Sequence, residues 1–396
     1  MDEKVIHIVN EARWADGQRV WSRIEEITRD PMRSQEEFVL RLMRENATTD
    51  YGHAHSFEFV HKLDDFKRYI PLTTYENYIP YMDRIAHGER NVLTTYLTEY
   101  FSSLSGYRKL PQSRWGVQTS YDYSFCAGFY IVGHHGYLAN GMTLNLVDTS
   151  AEHLPSGITV GNLLGRLLVR RDYDYKQVFA IPFDVEISRN RSDFLYFQAL
   201  HAIKQENITL AICDHYSKII DMLRYIEKHW PRLADDIEHG NPYFNSDPIR
   251  ANAIREVMGT HKIGTQMLNL LWPELHCIMV FDVDCLSASF ELLRTYCGDK
   301  VHFVFTGINL DEGTVTTGLH LDNPQTVLIP DSVFYEFKPK EDTDYSHLLT
   351  LDQLEVGNSY ELIVTTLSGL YRYKTKKCFQ VVGFFHDTPT VIIDKE

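Results

Sequence analysis

The alternation of apolar and polar residues divides the chain into a helix-rich beginning, a mixed middle and a strand-rich end. Ser34-Gln35-Glu36-Glu37 has the form of a capping box and predicts an amphipathic helix to about Arg44. Asn46 to Phe57 is polar and contains glycine, which predicts a loop. From Lys62 to Gly88, short helical turns are punctuated by Pro71 and Pro80. In the middle, Ile208 to Cys213, His276 to Phe281 and Val301 to Phe305 predict buried strands, with helices over Tyr216 to Trp230 and Leu286 to Tyr296. This rhythm implies an α/β sheet with crossover helices. From Thr326 the pattern changes to successive strands. Leu362 and Val364 alternate as one strand, Ser368-Gly369 break it, and a second runs through Cys378, Gln380 and Val382 to Gly383. The expected organisation is an α/β core over residues 1–325 and a β-rich closing subdomain over 326–396.

Composition narrows the classes. The 396 residues are 44% hydrophobic and 23% charged, as in ordinary soluble globular chains. No apolar run reaches the roughly 18 residues of a membrane helix, and the acidic N-terminus lacks a signal-peptide core. Neither a membrane nor a nucleic acid is expected as partner, because a net charge of −15 opposes a phosphate-binding surface. None of the six cysteines forms a C-x-x-C pair and most lie in apolar runs, which reads as buried thiols in the cytoplasm. His134-His135 follows the aromatic run Phe129 to Val132; on a strand the two would face opposite ways, which argues against zinc. Cys213-Asp214-His215 holds nucleophile, carboxylate and base in a row, whereas a catalytic triad is spatial rather than sequential.

Several stretches match one family in order. They are Asp65-Phe66-Lys67 with Pro71-Leu72-Thr73-Thr74-Tyr75-Glu76, Arg84 to Glu89, Leu195-Tyr196-Phe197-Gln198, Phe334 to Pro339, and Gly369-Leu370-Tyr371-Arg372-Tyr373. Together, over about Ala47 to Ile393, they resemble the auxin-responsive (Gretchen Hagen-type) acyl-acid amido synthetases of the adenylate-forming superfamily. The resemblance implies the large N-terminal domain of that fold with its β-rich closing subdomain. Family members continue into a C-terminal lid; this chain stops at Glu396, and a divergent member without the lid is expected.

The chain departs from the family at each signature. Phe101 to Lys109 reads FSSLSGYRK where the family's phosphate loop has a Gly-Thr-rich turn; Ser102, Ser103, Ser105 and Lys109 could still meet an anion. Thr306 to Gly313 reads TGINLDEG where the family has K-G-Y-x-x-S-E-G. Glu312 stands at the Mg²⁺-binding Glu, Ile308 replaces the adenine-facing aromatic, and Asp311 replaces a small hydroxyl residue. Lys376 and Lys377 stand where the family has Gly-Asp, whose Asp grips the ribose of ATP; a lysine cannot accept hydrogen bonds from a diol. Asp282 and Asp284 follow the strand at His276 to Phe281 where the family prefers small residues.

These residues support three readings. The first is a repurposed enzyme without cofactor, performing hydrolysis, dehydration or cyclisation on a hydrophobic small molecule, with Asp311, Glu312, Asp282 and Asp284 as acid/base groups. A specialised-metabolite pathway is its natural setting. The second is an ATP- and Mg²⁺-dependent ligase in which Glu312 organises the metal and Lys109 the phosphates. The third is a non-catalytic protein that holds an acyl compound or other carboxylate. In all three the ligand is expected near Ser102, Ser103, Ser105, Lys109, Tyr196, Ile308, Tyr371 and Arg372, where the loops Ser102 to Lys109, Asp282 to Cys285, Gly307 to Gly313 and Tyr371 to Lys377 converge.

Overall fold

The computed structural model describes residues 3–103, 109–138, 140–170, 177–182, 191–242, 244–260, 267–281 and 288–394. The chain opens with a long helix, α1 (Glu3–Ile27), whose buried face repeats at Ile6, Val9, Arg13, Gly17, Val20, Ile24 and Ile27. Gly17 is required: a Cβ there would lie 2.8 Å from the backbone nitrogen of Tyr130. Buried Arg13 packs its guanidinium over Phe129 at 4.9 Å and donates to Thr143 at 2.9 Å.

Helix α2 (Pro31–Glu45) has its cap four residues before the expected one at Ser34. Asp30 is its cap, accepting from the Arg33 N–H, and Pro31 occupies the first turn. The expected loop after Asn46 contains a short helix, α3 (Asp50–Ala54), because Thr49 caps the Gly52 N–H at 2.9 Å. Helices α4 (Leu63–Tyr69) and α5 (Tyr75–Ala86) follow, and α5 carries Pro80 without ending there.

Strands β1 (Thr98–Ser102) and β2 (Leu110–Ser113) form an antiparallel pair before α6 (Arg114–Tyr121). One π-helical turn (Asp122–Cys126) joins α6 to α7 (Ala127–His134). The histidine pair therefore lies at a helix C-terminus rather than on a strand.

The middle is built on a parallel sheet of β3 (Met142–Asn145), β6 (Ile208–Cys213), β7 (Cys277–Val280) and β8 (His302–Phe305), in that order. All four strands are buried except at His302, as expected of a parallel sheet covered on both faces. Among its covering helices, Ser217–His239 runs well past the expected Trp230 and through Pro231. A second sheet has the order β2-β1-β5-β4, with β4 at Ala151–His153 and β5 at Thr159–Gly161. A small hairpin, β9 (Asn309–Leu310) and β10 (Gly313–Thr314), projects from the end of β8.

The closing part is a six-stranded antiparallel sheet. It comprises β11 (Thr316–Gly318), β12 (Thr326–Leu328), β13 (Val333–Pro339), β14 (Ser359–Thr366), β15 (Tyr373–Phe385) and β16 (Thr388–Ile393). Its core takes in Phe38, Leu42, Tyr51 and Phe66 from the N-terminal helices, so the closing sheet and the chain's beginning share one apolar cluster. Cys126, Cys213, Cys277 and Cys297 are buried thiols, and Cys378 is half-buried. No helix among the described residues is long and apolar enough to cross a membrane.

Candidate functional site

The β9–β10 hairpin is held by hydrogen bonds from both sides. Ser102, buried at the end of β1, donates its Oγ proton to Asp311 Oδ1 at 2.7 Å. Gln112 on β2 donates through Nε2 to the Asp311 carbonyl at 2.7 Å. On the far side, Asn309 Oδ1 accepts from Ser124 Oγ at 2.7 Å and Thr314 Oγ1 at 2.6 Å. The chain enters the hairpin through Gly307 at φ +107°, where a Cβ would lie 2.1 Å from the Thr316 carbonyl oxygen. The clamp fixes the turn that carries Asp311 and Glu312.

The hairpin separates two spaces. On one side Glu312, only 7% exposed, faces a chamber lined with Gln112, Ser120, Thr314, Ser332, Thr366 and Ser368. Its volume of about 10 Å³ is on the scale of one water. On the other side Ile308, Asn309 and Leu310 line a cavity of about 150 Å³ with Phe281, Lys377, Phe379 and Ile393.

The residues expected at the site fall into three groups. Ser102, Asp311 and Glu312 come together at the hairpin, and Ile308 lines the larger cavity. Ser103 lies beside Ser102; its N–H donates to Gly161 O at 3.0 Å, and its buried Oγ has no partner among the described residues. The half-buried Lys109 donates its backbone N–H to Tyr75 Oη at 3.2 Å. Ser105, Asp282, Asp284 and Cys285 lie outside the described residues.

Tyr371, Arg372 and Tyr196 are placed elsewhere. Tyr371 is fully buried, stacks on Tyr51 with centroids 5.1 Å apart, and donates its phenol to Leu93 O at 2.7 Å. Burial pushes that phenol well above its usual pKa. Arg372, at φ +46°, pairs bidentately with buried Glu336 at 2.7 and 2.8 Å. Its remaining amino group donates to Lys67 O at 3.0 Å and Ile70 O at 2.9 Å. Both residues are therefore framework, because every polar atom they could offer a ligand is bonded inward. Tyr196 sits between helices Arg191–Lys204 and Ser217–His239, donating to Asp236 at 2.7 Å beneath the Arg232 guanidinium. Burial, then Asp236, pushes its phenol up to about 12. Cys213-Asp214-His215 forms no triad: the Cys213 thiol is buried toward Met279 O, and Asp214 pairs with Lys218 at 2.7 Å.

Sequence reasoning missed Gln112 and the Ser124–Asn309–Thr314 cluster, which no local pattern marks. Glu336 lies within Phe334 to Pro339, but its pairing with Arg372 spans 36 residues.

The site can be tested against ATP and Mg²⁺. At the phosphate end the residue types fit, and the one-water chamber at Glu312 would have to open to admit a cation with phosphate. The orphaned Ser103 hydroxyl and Lys109 can donate to an anion, and Glu312 can ligate a cation. Among the described residues no three His, Cys, Asp or Glu side chains gather as a metal group, so Mg²⁺ there would draw its other ligands from phosphate and water. At the nucleoside end the fit fails. The larger cavity is ring-sized, its Lys377 can only donate, and Asn309 Oδ1 is already occupied.

Comparisons with known proteins agree on one family. The GH3 family N-terminal domain matches residues 20–302, and the GH3 family central domain matches residues 326–394. The chain is 26% identical to a probable indole-3-acetic acid-amido synthetase GH3.11 of Oryza sativa subsp. japonica, covering 94% of this chain and 70% of that protein. It is 25% identical to the indole-3-acetic acid-amido synthetase GH3.3 of Arabidopsis thaliana, over 92% of this chain and 67% of that protein. Among solved structures it superposes on the GH3.15 acyl acid amido synthetase with TM-score 0.81 at 21% identity, covering 94% of this chain and 69% of the other. The same enzyme in complex with 2,4-DB gives TM-score 0.83 at 21% identity, over 95% and 70%.

Proposed function

We propose a function from one premise: this chain belongs to the GH3 family of acyl-acid amido synthetases. The reading best supported is an ATP- and Mg²⁺-dependent enzyme that activates a small carboxylic acid for amide formation. Relatives bear amido synthetase names, and a structural neighbour is described in complex with 2,4-DB. The observation that carries the reading is the clamped hairpin, which holds buried Glu312 beside the strand end bearing Ser102 and the unpartnered Ser103 hydroxyl.

ATP, when bound, supplies the leaving group that makes a carboxylate reactive toward an amine. This chain's residues do the positioning. Ser103 and Lys109 would meet phosphate oxygens, and Glu312 would supply one ligand to Mg²⁺. Asp311, held by Ser102, is a positioning residue: it fixes the turn on which Glu312 sits. In this reading an α/β core runs to residue 325 and a closing subdomain from 326, supported by Ser332, Thr366 and Ser368 of the closing part lining the chamber that Glu312 faces.

A second reading is favoured by the nucleoside end. Ile308 and Lys377 line the ring-sized cavity where an adenine-facing aromatic and a ribose-binding carboxylate would be needed. In this reading the family's acid pocket has been put to ATP-independent hydrolysis, dehydration or cyclisation in specialised metabolism, with Glu312, Asp311, Asp282 and Asp284 as acid/base groups. Pyrophosphate exchange into ATP, run across a panel of aryl and alkyl carboxylic acids, separates the two. Exchange that needs both an acid and Mg²⁺ supports the first. No exchange with any acid, alongside slow turnover of an ester or hydroxy acid without ATP, supports the second.

A further inference from the structure

A groove lies between α1, α2 and the start of α6. It consists of two hollows of about 430 and 420 Å³ that share Arg23, Arg41 and Asp331 as a common wall. Trp115 lines it just past the end of β2 remote from Ser102, where the Arg114 N–H donates to Leu97 O at 2.9 Å. Thr119 and Leu367 line both the groove and the Glu312 chamber, so the two share a wall.

The chain carries a net charge of −15, yet the charges left unpaired in this groove are positive. Each carboxylate that lines it has a partner within the fold. Asp331 accepts from Arg23 at 2.8 Å and from Tyr123 at 2.5 Å. Asp122 accepts from Gln118 at 2.9 Å and pairs with Arg19 at 3.2 Å. Glu37 pairs with Arg33 at 2.8 Å. Glu45 accepts from the Tyr96 phenol rather than pairing with Arg41 one turn back on α2. Arg41 and Arg44 are exposed, three positions apart on that helix, and neither has an ion pair or hydrogen bond among the described residues. In the same groove Trp115 is 56% exposed, an open indole beside open guanidinium groups. Tryptophan and arginine are the side chains on which binding energy concentrates at protein interfaces.

We propose that this groove docks an acidic segment of a partner protein, its carboxylates on Arg41 and Arg44 and an aromatic side chain against Trp115. A guanidinium offers a carboxylate a planar fork and gives up its hydration cheaply. An aromatic ring gains by covering the indole. The acidic remainder of the molecule opposes acidic partners elsewhere, so docking is confined to the groove. The proposal goes beyond the reading above and does not depend on the use of ATP.

The test is fluorescence anisotropy of the full chain with labelled hexapeptides of five glutamates and one phenylalanine, the phenylalanine moved through each position. Glutamine counterparts are the neutral probes. At least one acidic peptide should bind below millimolar concentration, and at least tenfold more tightly than its glutamine counterpart. Arg41→Gln with Arg44→Gln should weaken it at least tenfold, and Trp115→Ala at least threefold. Raising the salt from 50 to 300 mM should weaken it as well. Arg68→Gln is the control: it removes an exposed cation of α4 that does not line the groove, and should change affinity less than about twofold. No binding of any acidic peptide up to millimolar concentration overturns the proposal. So does a loss in Arg68→Gln equal to that in the paired groove variant, or glutamine peptides that bind as well as the acidic ones.

Discussion

Arg372 and Lys377 are both cations, five positions apart in one motif-bearing segment, and the fold treats them oppositely. Arg372 is buried, bidentate to Glu336, and bonded to two carbonyls at the end of α4. Lys377 is exposed at the rim of a cavity. The first half of the segment, Gly369 to Tyr373, keeps the residues that shape the bend. The second half, Lys376 and Lys377, is exposed. The difference teaches that one short segment can hold a buried framework cation and, a few positions on, a cation at a cavity rim. A buried ion pair tolerates little change because a lone charge left in the core is expensive, whereas an exposed lysine can be exchanged freely.

The sharpest way to break the comparison is to remove the buried partner. Arg372→Met should cost about 3–5 kcal/mol in urea unfolding, because Glu336 is left charged and unpaired. Adding Glu336→Leu should recover most of that loss, which a double-mutant cycle reads directly. Lys377→Met should leave the unfolding midpoint unchanged; if it destabilises as Arg372→Met does, the two halves are not distinct.

A control lies in the parallel-sheet core, which neither half touches. His201 is 5% exposed, and burial, helped by Lys204, holds its imidazole down at about 4. A base whose folded pKa is depressed contributes full stability above its unfolded value near 6.5. That stability is lost as pH falls from there toward 4. About 3 kcal/mol should disappear across this window, and His201→Gln should flatten it in thermal melts. Persistence of the slope in the variant would assign it to other groups.

Smaller effects sharpen the boundary. Tyr371→Phe should cost about 1–2 kcal/mol, since the Leu93 carbonyl loses its buried donor. Ser102→Ala should cost about 1 kcal/mol in stability. It should also weaken any Mg²⁺-dependent ligand through the loosened Asp311 turn, whereas Tyr371→Phe should not. A differential effect on binding at similar stability is the signature of the hairpin clamp.

Much of the α/β middle was legible because its strands are unbroken apolar runs; Ile208–Cys213 is β6 residue for residue. Five strands of the six-stranded sheet fall in the strand-rich end read from Thr326, whereas β11 at Thr316–Gly318 precedes it. Helix α1 was passed over, although its spacing is regular, because Asn10 and Arg13 sit on the buried face and disguise the stripe. The register of α2 was misplaced because two plausible caps, Asp30 and Ser34, stand four residues apart, and proline in the first turn decides between them. At the site, Glu312 was legible from its motif. Its neighbours were not, since Ser102, Gln112 and Ser124 reach the hairpin from 185 to 209 positions away. Tyr371 and Arg372 show the converse. A tyrosine and an arginine in a motif suggest ligand contacts, yet burial is a property of the whole fold that no local string reveals.

The central claim is that the clamped hairpin presents Glu312 to a magnesium-bound phosphate ligand. The direct measurement is calorimetric titration of the full chain with MgATP, repeated with Glu312→Gln. The account predicts saturable binding in the micromolar range that needs Mg²⁺ and weakens at least tenfold in the variant. No binding up to millimolar MgATP, or binding indifferent to Glu312, would contradict it.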